Sequence, residues 1–279
     1  MTNAVLNRFS SAGTAAPARP VPPPDDLERS YTQPAYGGPT YPPADVTRRY
    51  GGGGETGAPT RYMTLDDVIV RTGAMLGVLL VAGAFAWVLT PSSSAGGLIA
   101  LGAFGGLGLG LYMAFTMRAN AFTALTYSAL EGLLLGAVSR AFEQRFPGVV
   151  VQALTGTVMV AGGMLVVYRV GAIRVTPRFT KMVFGATLGV VGLMLVNLVA
   201  YLFHPGGLGL RDGGGLAIVF SLVCIAIAAM NLVIDFDVIE QGIRRGAPEK
   251  FAWYASFGLM VTLIWLYLEI LRLLGYLRD

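Results

Sequence analysis

MNLVIDFDVIEQ (residues 230–241) and LIWLYLEILRLLG (residues 263–275) are apolar helical segments interrupted by carboxylates: Asp235 and Asp237 in the first, Glu269 in the second. A lone carboxylate is costly in a low-dielectric setting and sooner takes up a proton than stays charged. Acids placed this way point to a polar cavity, an ionic partner or a proton-linked function. The surrounding chain is of the same apolar kind: 54% of its 279 residues are hydrophobic and 13% charged, against about 25% charged in soluble chains. Several runs approach the roughly 20 residues that cross a bilayer. The pattern excludes an ordinary soluble domain and predicts an all-α polytopic membrane protein, a bundle of seven transmembrane helices.

Working outward, the spans fall at about 68–89, 97–117, 121–138, 149–168, 182–203, 215–237 and 253–277. Every proline after Pro59 (Pro91, Pro147, Pro177, Pro205, Pro248) lies between spans, as expected of a residue that breaks helical hydrogen bonding. Thr64, with Asp67 three residues on, reads as the cap of the first helix. Arg71 near its entrance is placed to snorkel. Gly102, Gly106 and Gly110 put a flat stripe on the second span and predict close helix packing. Arg118 closes that span, and two readings stand level: a headgroup anchor, or a cation that balances buried carboxylates. Glu131 lies half-way along the third span with no cation three or four residues away. Tyr127 and Ser128 are placed one turn earlier to hydrogen-bond it. A packing role and a role in ion passage are equally supported for it.

Residues 1–60 hold ten of the fifteen prolines and the run Gly51–Gly54, so they are expected to form a disordered tail ahead of a membrane domain at 61–279. Its tyrosines are a weak recognition motif at most, and a solubilising tail is the better reading. GGGGETG lacks the lysine and Ser/Thr of a phosphate-binding loop, and no apolar signal-peptide segment appears in these residues. With the N-terminus inside, the inner loops carry eight basic residues (Arg118, Arg169, Arg174, Arg178, Lys181, Arg244, Arg245, Lys250) against three outside (Arg140, Arg145, Arg211). The positive-inside rule then sets the N-terminus in the cytoplasm and the C-terminus outside, in a multi-pass protein of the cell membrane. No basic patch interleaved with aromatics suggests nucleic acid, and no internal repeat suggests an inverted-repeat transporter.

Cys224 and His204 are the only residues of their types. The first reads as a small core residue and the second as a loop residue beside Pro205, so no Cys/His metal site and no cofactor is expected. Asp235 and Asp237 lie roughly 200° apart around a helix and face different neighbours. Glu269 has Arg272 three residues on, which offers a plain local ion pair; its other neighbours (Trp265, Leu266, Leu268, Ile270) are apolar. Two carboxylates brought together would not both ionise, and a nearby arginine would favour their charged forms. No nucleophile elbow, HExxH or substrate domain accompanies these acids, so an enzyme is not expected.

MAFTMR, TYSALEG, the FD pair ending the sixth span and LYLEILRLLG in the seventh together resemble the Bax inhibitor and YccA family of small membrane proteins. The resemblance covers about residues 65–277 and is strongest to the actinobacterial branch, whose members carry a proline-rich tail. It implies a pH-sensitive Ca²⁺ leak through a helical bundle. Carboxylates of the last two spans would be latched near an arginine at the end of the second span. Carried over by position, Asp237 and Glu269 are the acids, with a transient Ca²⁺ site between them, and Arg118 is the latch. Two departures accompany it: the seventh-span acid is Glu, not Asp, and the Asp237–Glu269 interval is about two helical turns longer than in the family. The second departure makes Asp235 the alternative partner. The resemblance also implies association with a membrane-bound ATP-dependent protease. That leaves a second, non-transporting function class for which the tail would be the handle.

Overall fold

The computed structural model describes residues 61–89, 95–204 and 206–279; the expected tail at 1–60 lies outside the described residues. Among the described residues seven α-helices follow in order: α1 (Leu65–Leu89), α2 (Ala95–Thr116), α3 (Ala121–Arg145), α4 (Val149–Arg169), α5 (Pro177–Phe203), α6 (Gly215–Arg244) and α7 (Phe251–Tyr276). Each is long and apolar enough to cross a membrane, and the chain is a multi-pass, all-α membrane protein.

Several helices outrun their apolar spans. α3 continues to Arg145, past the expected limit at 138, and α6 to Arg244, past 237. A charged side chain ends a hydrocarbon crossing without ending backbone hydrogen bonding. What stops these helices is backbone geometry: α3 leaves the helical region at Phe146 (φ −133°, ψ 82°) ahead of Pro147, and α6 is followed by Gly246 (φ 64°) in the left-handed region that glycine tolerates. α5 begins early for the converse reason. Pro177 occupies its first turn and the Thr176 hydroxyl accepts from the Phe179 N–H at 3.2 Å.

The expected cap of α1 is present. The Asp67 carboxylate accepts from the Thr64 N–H at 2.9 Å, and the Thr64 hydroxyl accepts from the Asp67 N–H at 3.3 Å. Thr64→Ala is expected to lower the melting midpoint in detergent by about 2–4 °C, the equivalent of about 1 kcal/mol; an unchanged midpoint would show the cap to be dispensable. Just ahead of α1, residues 61–63 are tied to the α6–α7 turn. The Met63 N–H donates to the Ala247 carbonyl at 2.8 Å and the Glu249 N–H to the Arg61 carbonyl at 2.9 Å. Arg71 sits 5.3 Å over the Trp253 ring and pairs with Glu249. The α1 entrance is thereby clasped to the entrance of α7, defining what we call the N-terminal end of the bundle.

α7 is the central helix. It packs against α1, α3, α4 and α6, and half of its crossing window is buried, against 17% for α2, α4 and α5. Met75, Met113, Leu232, Met260, Leu266 and Leu271 form the fully buried centre around it. Lipid chains are as apolar as leucine, so packing in a bilayer is driven by close fit. Here the fit comes from glycine. The α2 stripe lies on α3, with a Cβ built at Gly102 falling 2.7 Å from the Leu130 carbonyl oxygen. Gly136 of α3 meets Gly83 of α1 backbone to backbone. Large apolar side chains on the outside, among them Phe104, Phe115 and Phe203, are the surface a bilayer covers.

Candidate functional site

Glu269 lies seven residues before the end of α7, between Leu266, Tyr267, Ile270 and Leu271, all buried. Its own residue is 2% exposed. A carboxylate placed so deeply needs cationic partners, and it has two. Arg272, one turn further along α7, donates from Nη1 to Oε1 at 2.7 Å, and Arg211 reaches the same oxygen from Nη2 at 3.4 Å. Oε2 faces the Ser221 hydroxyl of α6 at 3.5 Å.

Arg211 comes from the connection between α5 and α6, and local chemistry places it there. The Asn197 side-chain carbonyl accepts from the Leu208 N–H at 2.9 Å, folding the connection back over the end of α5. Asp212 accepts from the Gly214 N–H at 3.0 Å as α6 begins. Burial and the neighbouring Arg272 hold the Arg211 guanidinium below the usual arginine range, while Glu269 opposes that shift. An arginine stays charged throughout the physiological range. The Glu269 carboxylate is the shared anchor of both guanidinium groups, and losing its charge would release both.

The two aspartates of α6 face different helices, as their angular separation requires. The Thr262 hydroxyl of α7 donates to Asp235 Oδ2 at 2.6 Å, and Gly258 packs beside the carboxylate, where a Cβ would make ordinary contact 3.5 Å from Asp235 Oδ1. Asp237 turns toward α4. It accepts from Gln241 Nε2 at 2.5 Å and stands 3.5 Å from the Tyr168 hydroxyl. That hydroxyl also donates to Glu240, which pairs with Arg244.

The structure does not bring Arg118, Asp237 and Glu269 together. α2 runs toward the N-terminal end of the bundle and α7 away from it, so Arg118 and Glu269 are at opposite ends. Arg118 is exposed, and among the described residues it has no carboxylate at ion-pair distance. Nor do the two acids share a depth. Asp237 is seven residues from the α6 terminus at the α6–α7 turn, and Glu269 eighteen residues from the α7 start. At ~1.5 Å per residue these are about 10 and 27 Å deep. An axial gap of roughly 17 Å excludes one Ca²⁺ held by both, because calcium–oxygen bonds are about 2.3–2.6 Å. Asp235 does not reach Glu269 either; its partner in α7 is Thr262. The local Glu269–Arg272 pair expected from the sequence is present.

Glu131 stays on the α2–α3 side of the bundle. Its carboxylate lies against Gly106, where an added Cβ would be 2.8 Å from Oε1, and Tyr127 is its hydrogen-bonding neighbour. Ser128 instead donates to the Ala124 carbonyl at 3.0 Å. Cys224 is buried and His204 is an exposed residue closing α5, as expected.

Arg211, Ser221, Thr262 and Tyr168 were not singled out in the sequence. Thr262 had a signal: counting outward from the α6–α7 turn sets it at nearly the depth of Asp235. Arg211 had none beyond its charge, because a loop side chain's reach is set by how the loop folds. Among the described residues, no group of three or more His, Cys, Asp or Glu side chains is arranged to hold a metal ion. Compared with known protein families, residues 11–279 match the family model described as Bax inhibitor 1 like. No curated protein and no solved structure matches the chain.

Proposed function

The chain belongs to the Bax inhibitor 1 like family, and on that premise we propose that it is a pH-sensitive leak for Ca²⁺ or a similar cation, latched by Glu269 with Arg211 and Arg272. The observation that carries this reading is the carboxylate of Glu269, 2% exposed and bonded both to its own helix and to the α5–α6 connection. These ion pairs hold that connection against α7, breaking them frees it, and flux rises as pH falls. Asp235 on the α6–α7 seam and Asp237 with Glu240 nearer the N-terminal end offer oxygen ligands at successive depths. That arrangement suits transient passage of a hard cation more than tight binding. The basic loops lie at the N-terminal end, which supports a cytoplasmic N-terminus, a C-terminus outside and residence in the cell membrane. Residues 1–60 then form a cytoplasmic tail.

The test is Ca²⁺ flux into liposomes containing the purified full chain, measured across about pH 6 to 8. Wild type should conduct more at the acid end, with Glu269→Gln conducting at the acid level throughout. Identical pH profiles for wild type and Glu269→Gln would remove the latch. Absence of flux from the pure protein at every pH would overturn the leak and leave the non-transporting partner of a membrane protease as the reading to pursue.

A further inference from the structure

Between α1 and α4 the bundle leaves an open groove of about 740 Å³, floored by α3 and α7. It runs from Leu76 to Val88 along α1 and from Val150 to Leu165 along α4. Twelve to fifteen residues of helix rise about 18–22 Å, enough to span the roughly 15 Å of hydrocarbon in one leaflet. The walls are apolar, and the few polar groups in them are already satisfied. Ser139 and Tyr267 hydrogen-bond each other at 2.6 Å, and Thr157 donates to the Ala153 carbonyl at 2.8 Å. Nothing along the groove calls for a polar ligand.

Its mouth at the C-terminal end is different. Trp87 lines the groove there, with the Arg140 guanidinium 5.3 Å over its ring. Arg140 Nε is buried without a hydrogen-bond partner, and among the described residues no carboxylate is at ion-pair distance from this arginine. The nearest acid in sequence, Glu143, is engaged elsewhere, accepting from the Gly148 and Val150 N–H groups at 2.6 and 3.2 Å. An apolar slot one leaflet deep with an uncompensated cation and a tryptophan at its rim is complementary to one kind of molecule. We propose that this groove holds an acyl chain of an anionic phospholipid whose phosphate rests on Arg140, the ring of Trp87 lying at headgroup depth. The inference does not depend on the leak, since it uses none of the latch residues.

The full chain in detergent, given an equal mixture of phosphatidylglycerol and phosphatidylcholine, is expected to retain phosphatidylglycerol with about tenfold preference, the effect of one charge-assisted contact. Native mass spectrometry reads the bound lipid directly. Arg140→Gln should bring the preference close to unity. Gly162→Phe should remove the retained lipid of both kinds, because it fills the groove from α4. A Cβ at Gly162 or at Gly163 meets nothing within 4 Å, so a side chain can leave the backbone at either position without a clash, and melting curves show whether each phenylalanine variant keeps its packing. Gly163 does not line the groove, and Gly163→Phe should retain lipid like wild type. The proposal fails if Arg140→Gln keeps the preference or if the two glycine variants behave alike. It also fails if Gly162→Phe converts a dimer to a monomer, which would make a second copy the occupant.

Discussion

Gly136→Leu is expected to abolish accumulation of folded protein. A Cβ at this position would stand 2.1 Å from the carbonyl oxygen of Gly83 and 2.8 Å from its Cα. Both atoms are backbone, so neither helix can yield by changing a rotamer; α1 and α3 would have to separate. One turn earlier the crossing is also tight, with a Cβ at Gly132 falling 2.4 Å from the Leu79 carbonyl oxygen. Separating the pair opens the packing on which membrane helices depend, a cost of about 5 kcal/mol or more and comparable to the whole stability of many domains. Gly77→Leu, on the same α1 but with nothing within 4 Å of its Cβ, should accumulate and melt like wild type. Size-exclusion profiles of fluorescently tagged variants compare the two, and equal monodisperse peaks would refute the argument.

Removing both arginines from Glu269 should destabilise more than removing the acid itself. Arg211→Met with Arg272→Met leaves a carboxylate that is 2% exposed with only a distant serine hydroxyl, a loss of about 3–5 kcal/mol for an uncompensated buried charge. Glu269→Gln leaves two arginines whose side chains are 28% and 23% exposed. They can turn toward water, so the cost is on the order of 1–2 kcal/mol. The decisive comparison is the triple variant: adding Glu269→Gln to the double methionine background should raise the melting midpoint again. If the triple melts no higher than the double, the cluster is not held by this charge balance, and the latch loses its energetic basis. Arg272→Met alone should cost more than Arg211→Met alone, following 2.7 Å against 3.4 Å.

The contrast between these two cases shows how far the residues could be read before folding. The glycine stripe of α2 and the cap at Thr64 are local patterns, visible because the helical repeat places their partners within a turn or on one face. The local pairing of Glu269 with Arg272 is of the same kind. Arg118 failed as a latch on a point that span counting already contains, since an even-numbered helix ends where the seventh begins. Asp235 and Asp237 were correctly set on opposite faces, but which face met α7 depended on how the two helices pack.

From the sequence alone came the seven apolar helices, their order, the prolines that part them, and the need for buried acids to find partners. These follow from hydropathy, proline placement and the cost of charge in hydrocarbon, all of which act along the chain. Only the tertiary structure decided that Arg211 joins Arg272 on Glu269, that Thr262 holds Asp235, that two glycines let α1 and α3 touch, and that a groove with Arg140 at its rim opens between α1 and α4. Those outcomes depend on how helices distant in sequence are rotated against one another and on how a loop folds back, and a one-dimensional pattern, which carries depth, carries neither of these.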